Sequence, residues 1–389
     1  MVGVRLSETS GQGTAEYTVL LALVAAALAG AGAVVGLGTI GEAVASGVRT
    51  GICIVAGDVC RTSDAERAGL EPCTLDDHTR GEGLTFTIAS LRFGADDRWT
   101  AARRSDGSVI ITHTDERKVG GKLGVGVEAS PLGVNAELSG KLDYALTSGK
   151  AWEFRDAESA ARFLRADDRD DIEPTWRFGD VGSVAGGEAE AGLGPVTVTE
   201  FEATARAAAG ARVGRGLTTY YVRSRADAFA GGLALPGVDA RVEGPSTGDS
   251  IVELTQDAAG PREIAFRRVQ RGTQPDQVVE AVARLDLRDP ANRAAAEPLL
   301  AQRLPWPPAV ARELRTLVAR SVRSGIVERA VYDVDDDSEG VELSASFGLS
   351  LGVDGSEVDV DRRLVAAHAW TQGSRARERA DCGVTAPGA

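Results

Sequence analysis

Residues 122–146 read KLGVGVEASPLGVNAELSGKLDYAL. Leu123, Val125, Val127 and Ala129 take every second place, separated by Gly124, Gly126 and Glu128. After the turn residues Ser130-Pro131-Leu132-Gly133 the order resumes in Val134, Ala136, Leu138, Leu142, Tyr144 and Leu146, with Asn135, Glu137, Ser139, Lys141 and Asp143 between them. Successive side chains of a strand point to opposite faces, so this period of two gives one apolar and one polar face. The stretch predicts a long antiparallel hairpin. A second such stretch, VELSASFGLSLGV from Val341 to Val353, alternates just as cleanly and turns at Asp354-Gly355 toward Val358 and Val360.

Working outward, Thr85–Phe93, Trp99–Arg104, Val109–Thr114, Pro195–Glu202, Thr218–Arg223, Ile251–Leu254 and Ile264–Val269 read as shorter strands divided by turn residues such as Ser105-Asp106-Gly107. Ser148-Gly149-Lys150 reads as a turn ahead of Trp152. Asp156 is a good N-cap for a helix over 157–164. Gln277–Leu285, Pro290–Leu304 and Pro308–Ser324 read as a helical insertion, with proline opening the last two, where its missing N–H costs nothing. An antiparallel sheet with one apolar face needs a cover, and these helices supply one, which predicts an α+β domain.

The chain opens differently. The 25 residues Tyr17 to Gly41 carry no charge. As a helix they reach roughly 37 Å, against a hydrocarbon core of about 30 Å, so they predict a transmembrane helix. Just before them stands Gly11-Gln12-Gly13-Thr14-Ala15-Glu16-Tyr17. This start resembles the N-terminus of Flp-type (Tad) prepilins and TadE-like pseudopilins over about thirty residues. The resemblance implies cleavage after Gly11 by a membrane prepilin peptidase, a new N-terminus at Gln12, and a Glu16-Tyr17 pair at the head of the apolar helix. It further implies a leader over 1–11 ahead of a transmembrane helix over 12–45; the residues beyond read as a cysteine-containing stalk over 46–82 and an extracellular β-rich domain over 83–389 with its helical insertion at about 275–324. The Gly-rich strands also resemble in style those of secreted actinobacterial proteins that carry a pilin-like helix.

The 57 acidic residues outnumber the 43 basic ones, for a net charge of −14, which argues against nucleic acid as a partner. Four cysteines, Cys53, Cys60, Cys73 and Cys382, all lie beyond the apolar stretch, as a disulfide framework in an oxidising compartment would. Three connectivities are open, and we favour Cys53 with Cys60 and Cys73 with Cys382. The absence of Cys-x2-Cys and the scatter of His78, His113 and His368 argue against a metal site, and no cofactor is expected. Gly244-Pro245-Ser246-Thr247-Gly248 has the spacing of a hydrolase elbow but lies between strand-like segments, as a hairpin turn does. Asp333, Asp335, Asp337 and Glu339 lack the spacing of a calcium loop and read as a solvated strand end. The sequence therefore predicts a non-enzymatic, single-pass surface protein, pilin-like, with its C-terminal domain outside the cell. Its expected partners are the membrane, a prepilin peptidase, and pilin or secretion-apparatus subunits. The competing prediction is a pore-forming or membrane-perturbing secreted protein, because alternating strands of this length can cross a bilayer when tilted.

Overall fold

The period-two segments form strands, and the strands close on themselves. The computed structural model describes residues 51, 53–78, 97–122, 126–129, 134–137, 141–166, 168–183, 190–193, 196–198, 206–225, 235, 249–272, 274, 276–301, 311–336, 360–371 and 374–383. Two compact units divide the chain, residues 1–60 and 61–389. In the first, residues 53–56 are helical and Cys53 is bonded to Cys60, S–S 2.04 Å. The second contains the remaining elements.

Its wall strands are β1 (Thr74–His78), β2 (Asp97–Arg104), β3 (Val109–Lys122), β6 (Lys141–Phe154), β7 (Trp176–Ser183), β10 (Arg206–Gly214), β11 (Leu217–Arg225), β12 (Asp249–Asp257), β13 (Gly260–Arg271), β14 (Gln277–Asp286), β15 (Ile326–Asp336) and β16 (Val360–Thr371). Each pairs antiparallel with the next in that order, and β1 also pairs with β16 through Asp76↔Arg363 and Asp77↔Arg362. That last pairing closes a twelve-stranded barrel. A two-residue strand, β17 (Arg377–Glu378), adds to β16. Two detours leave the meander: β4 (Gly126–Ala129) with β5 (Val134–Glu137), and β8 (Glu190–Leu193) with β9 (Val196–Val198). These four form a second sheet in the order β4-β5-β8-β9.

Helices cover the outer wall in two places. On β2, β3 and β6 the outward side chains Trp99, Ile111 and Trp152 meet Phe163 of α2 (Ala157–Arg165), the Trp152 and Phe163 rings lying 4.8 Å apart. α2 starts where the sequence places it, because the Asp156 carboxylate accepts a hydrogen bond from the Ser159 N–H at 2.7 Å. On β13, β14 and β15 the outward Phe266, Ala283, Leu285 and Val327 meet Leu299 of α3 (Pro290–Ala301) and Leu314 and Leu317 of α4 (Ala311–Ser324). Phe266 and Leu285 are fully buried there, each contributing about 1.5–3 kcal/mol. A short helix, α1 (Thr62–Arg67), precedes β1.

The expected fold class is corrected by these findings. The domain is mostly β, a closed barrel and not an α+β sheet with a helical lid. Polar faces that alternation suggested were solvent-facing turn inward onto a shared lumen, a placement that the period of two cannot distinguish. Gln277–Leu285 is strand β14 and not helix: Val278 to Leu285 are all buried, because one face lies under α3 and α4 and the other lines the lumen. A strand buried on both sides loses its alternation and reads as an apolar run. Ser148-Gly149-Lys150 is not a turn either, since Gly149 sits within β6 between Thr114 and Phe178. The single-pass, extracellularly displayed and pilin-like description is corrected in the same way. Among the described residues no helix is long and apolar enough to cross a membrane. The stretch Tyr17–Gly41 itself lies outside the described residues, and the segment read as stalk, 46–82, ends in β1, a barrel strand.

Candidate functional site

Eight strands make a barrel whose side chains just fill it, and sixteen leave a channel, so twelve leave room for a cavity. One of 380 Å3 lies inside the lumen. Arg212, Thr219, Thr255, Glu263, Arg267 and Arg284 line one side of it, and Ala102, Ile110, Ala151, Trp176 and Ala330 another. Most of the charges around it are paired. Arg267 donates to Glu280 at 2.6 Å and to Glu253 at 3.3 Å, with all three carboxylate and guanidinium groups nearly sealed from solvent. Arg284 donates to Glu328 and to Glu71 at 3.2 Å, and Arg379 to Glu328 at 2.7 Å. Arg104 stands 3.6 Å from Glu153. Burying a charge is tolerated only where such partners offset the lost hydration. For Glu280 burial outweighs the pull of Arg267, so its carboxyl is lifted to about 7, and burial lifts Glu263 to about 7 against the pull of Arg284. Arg284 holds Glu71 below the ordinary range against the effect of burial, with smaller help from Arg104, Arg267 and Arg212.

The residues around the base of this cavity are tied together. Arg284 also reaches the Gly69 carbonyl at 3.1 Å, Arg379 reaches the Glu71 carbonyl at 2.9 Å, and Cys73 is bonded to Cys382. On the opposite side the lumen is crossed by an apolar layer. Phe178, Tyr221, Ile251, Val269, Val278 and Val334 pack together, one inward position beyond the cavity-lining residues of their strands, or two on β14, where Glu280 intervenes. Two glycines make room for its rings: a Cβ on Gly149 would collide with Phe178, and one on Gly210 with Tyr221. Tyr221 donates to the Asp180 carboxylate at 3.0 Å, and burial, aided by that charge, keeps its phenol protonated well beyond the usual range.

Past this layer the second sheet continues four wall strands. The β3–β6 register runs unbroken from Val109↔Phe154 to Lys122↔Lys141, and Gly126↔Glu137 follows in step, four residues on and four back. Val134↔Leu193 likewise follows Tyr144↔Ser183, ten back and ten on. The order β4-β5-β8-β9 thus repeats the wall order β3-β6-β7-β10. By this pairing, positions 126, 128, 135, 137, 190, 192 and 197 are in phase with lumen-lining Ile110 and Ala151, and their neighbours are in phase with outward Ile111 and Trp152. The positions in phase with Ile111 and Trp152 are Val127, Ala129, Val134, Ala136, Ala191, Leu193, Val196 and Val198, all apolar residue types. The positions in phase with Ile110 and Ala151 are Gly126, Glu128, Asn135, Glu137, Glu190, Gly192 and Thr197, all polar types or glycine.

Of the residues singled out from sequence, Gly11, Gln12, Glu16 and Tyr17 lie outside the described residues, as do 244–248, Asp337 and Glu339. The cysteines are bonded as Cys53–Cys60 and Cys73–Cys382. Asp333 accepts from the Gln277 amide at 3.1 Å, and among the described residues no group of His, Cys, Asp and Glu could hold a metal ion. The Arg267 and Arg284 networks were missed. Their only sequence signal is a charged residue at the polar positions of consecutive strands, the pattern an exposed face also gives. Compared with known proteins, the chain matches no family model, no curated protein and no solved structure.

Proposed function

We propose that this chain is a membrane-perturbing β-barrel protein, whose helix-covered base stays in water while the barrel's extension enters a bilayer. The observation that carries the reading is the uniformly apolar outward phase of β4, β5, β8 and β9, opposite a uniformly polar or glycine inward phase. Strands that cross membranes as barrels alternate in this sense, apolar to lipid and polar to lumen, and bacterial single-chain barrels of this kind close with even strand numbers. Read as sequence alone, the same phase returns from Val341 on: counting by twos from lumen-facing Val334 reaches Glu342, Ser344 and Ser346, while Val341, Leu343, Ala345 and Phe347 fall between, with the charged Asp337 and Glu339 of the intervening stretch outside the pattern. Passage through the whole barrel requires the Phe178–Tyr221 layer to part, so a conducting state differs from this one at that layer.

The test is release of an entrapped dye from phosphatidylcholine vesicles by the full chain, neutral lipid being chosen because of the net charge of −14. Release is expected, and Val127→Arg should suppress it, since an arginine facing lipid costs about 2–4 kcal/mol at mid-bilayer. Glu128→Arg, one position along on the inward phase, should still release dye. No release by the unaltered chain, or equal loss in both variants, would refute the proposal.

A further inference from the structure

We infer that the lumenal cavity is a binding site for a compact apolar organic acid, anchored by Arg212. The cavity's 380 Å3 lies in the range of small-molecule sites. Four of its six arginines are already committed: Arg104, Arg267, Arg284 and Arg379 each face a carboxylate within 3.6 Å or less, while Arg329, beside Ala330 on β15, keeps its Nε buried without a partner and stands across the cavity from the apolar wall strands β6 and β7. Arg212 differs. Half-buried on β10, it holds no ion pair and no hydrogen bond among the described residues, although its charge is felt by Glu71 and Tyr221. A half-buried guanidinium that faces a cavity without a counter-ion is a ready anion site, since an incoming carboxylate supplies two charge-assisted hydrogen bonds in place of water.

The surroundings of Arg212 set the rest of the ligand. It stands at a boundary in the cavity wall. On one side, β2, β3, β6 and β7 contribute the apolar surface of Ala102, Ile110, Ala151 and Trp176, and the only charged lining residue there, Arg104, is already paired with Glu153. On the other, Arg212 is paired with Thr219, whose hydroxyl is 3.0 Å from that of Thr255. A ligand with its acid group on Arg212 and its body over the alanines and Trp176 satisfies both. A second charged group on that body would have to stand against Ala102 and Ala151 unpaired. Carboxylates with a small aromatic or branched body fit, whereas inorganic phosphate leaves the apolar side unfilled.

The site is independent of membrane insertion and is tested on the full chain in buffer without lipid, disulfides intact. Benzoate is titrated by calorimetry into the unaltered chain, Arg212→Gln, Arg212→Lys and Ala151→Leu, with inorganic phosphate as the comparison anion. Saturable benzoate binding is expected with Kd of about 1 mM or tighter, weakened at least about tenfold by Arg212→Gln and largely kept by Arg212→Lys. Ala151→Leu, which fills the apolar side without touching Arg212, should weaken benzoate as well. Both are read beside thermal unfolding, so that lost binding in a folded variant is distinguished from misfolding; should Arg212→Gln misfold, Ala151→Leu alone decides. Failure of the unaltered chain to saturate, equal affinity after Arg212→Gln or Ala151→Leu, or phosphate binding as tightly as benzoate would overturn the inference.

Discussion

Raising the pH from about 5 to about 8 should destabilise the barrel, and Glu280→Gln should remove a large part of that loss. Glu280 is buried on β14 against Arg267, and burial lifts its carboxyl from 4.5 to about 7. Below the unfolded value the group is protonated in both states and costs nothing. Between about 4.5 and 7 the folded chain holds a proton that the unfolded chain releases, so each rise in pH favours unfolding; above about 7 both states are ionised and the loss is complete. At about 1.4 kcal/mol per pH unit the span from 4.5 to about 7 amounts to about 3 kcal/mol. Glu263, also lifted to about 7, adds a second loss across the same window. Glu71 and Asp286, held low by Arg284 and Arg288, act in the opposite sense, but their stabilisation is lost only as the pH falls toward and below the ordinary carboxylate range. Urea unfolding followed by circular dichroism at about pH 5, 6, 7 and 8 measures the slope. A chain more stable at about pH 8 than at about pH 5, or a Glu280→Gln variant with an unchanged slope, would refute the reasoning.

Three further outcomes follow from the packing. Gly149→Val should destabilise by about 3 kcal/mol or more, because its side chain occupies the space of the Phe178 ring, and Phe178→Ala in the same chain should restore part of it in an unfolding titration. Replacing Cys73 and Cys382 together by alanine should lower stability by up to about 6 kcal/mol, the chain-entropy limit for a bond spanning 309 residues, measured under non-reducing conditions. Asp156→Ala should cost about 1 kcal/mol by removing the α2 cap, detected as a lower melting temperature of the barrel.

Much of the wall was legible in sequence, and its closure was not. Alternation located β2, β3, β6, β11, β12 and β13, and the cap at Asp156 located α2. β10 escaped because Ala207 to Ala211 offers small residues on both faces, so no contrast marks the period. β14 escaped for the opposite reason, being buried on both faces. The pairing of Asp76 with Arg363 joins residues nearly three hundred apart, and no local pattern records it. For the same reason the polar positions Glu253, Arg267 and Glu280 looked like solvent-facing ones: only the closed ring turns them toward one another. Gly149 looked like a turn because the ring that requires its missing Cβ comes from β7, across the strand pair.

The claim that the extension meets lipid with one face is tested most directly by a positional scan. Single cysteines carrying an environment-sensitive fluorophore are placed in turn at Gly126, Val127, Glu128, Ala129, Val134, Asn135, Ala136 and Glu137, with the native disulfides intact, and read in the presence of vesicles containing a lipid-borne quencher. The expected result is a period of two, with quenching at 127, 129, 134 and 136 and water-like emission at 126, 128, 135 and 137. Uniform water-like emission at all eight positions, or quenching without alternation, would contradict it.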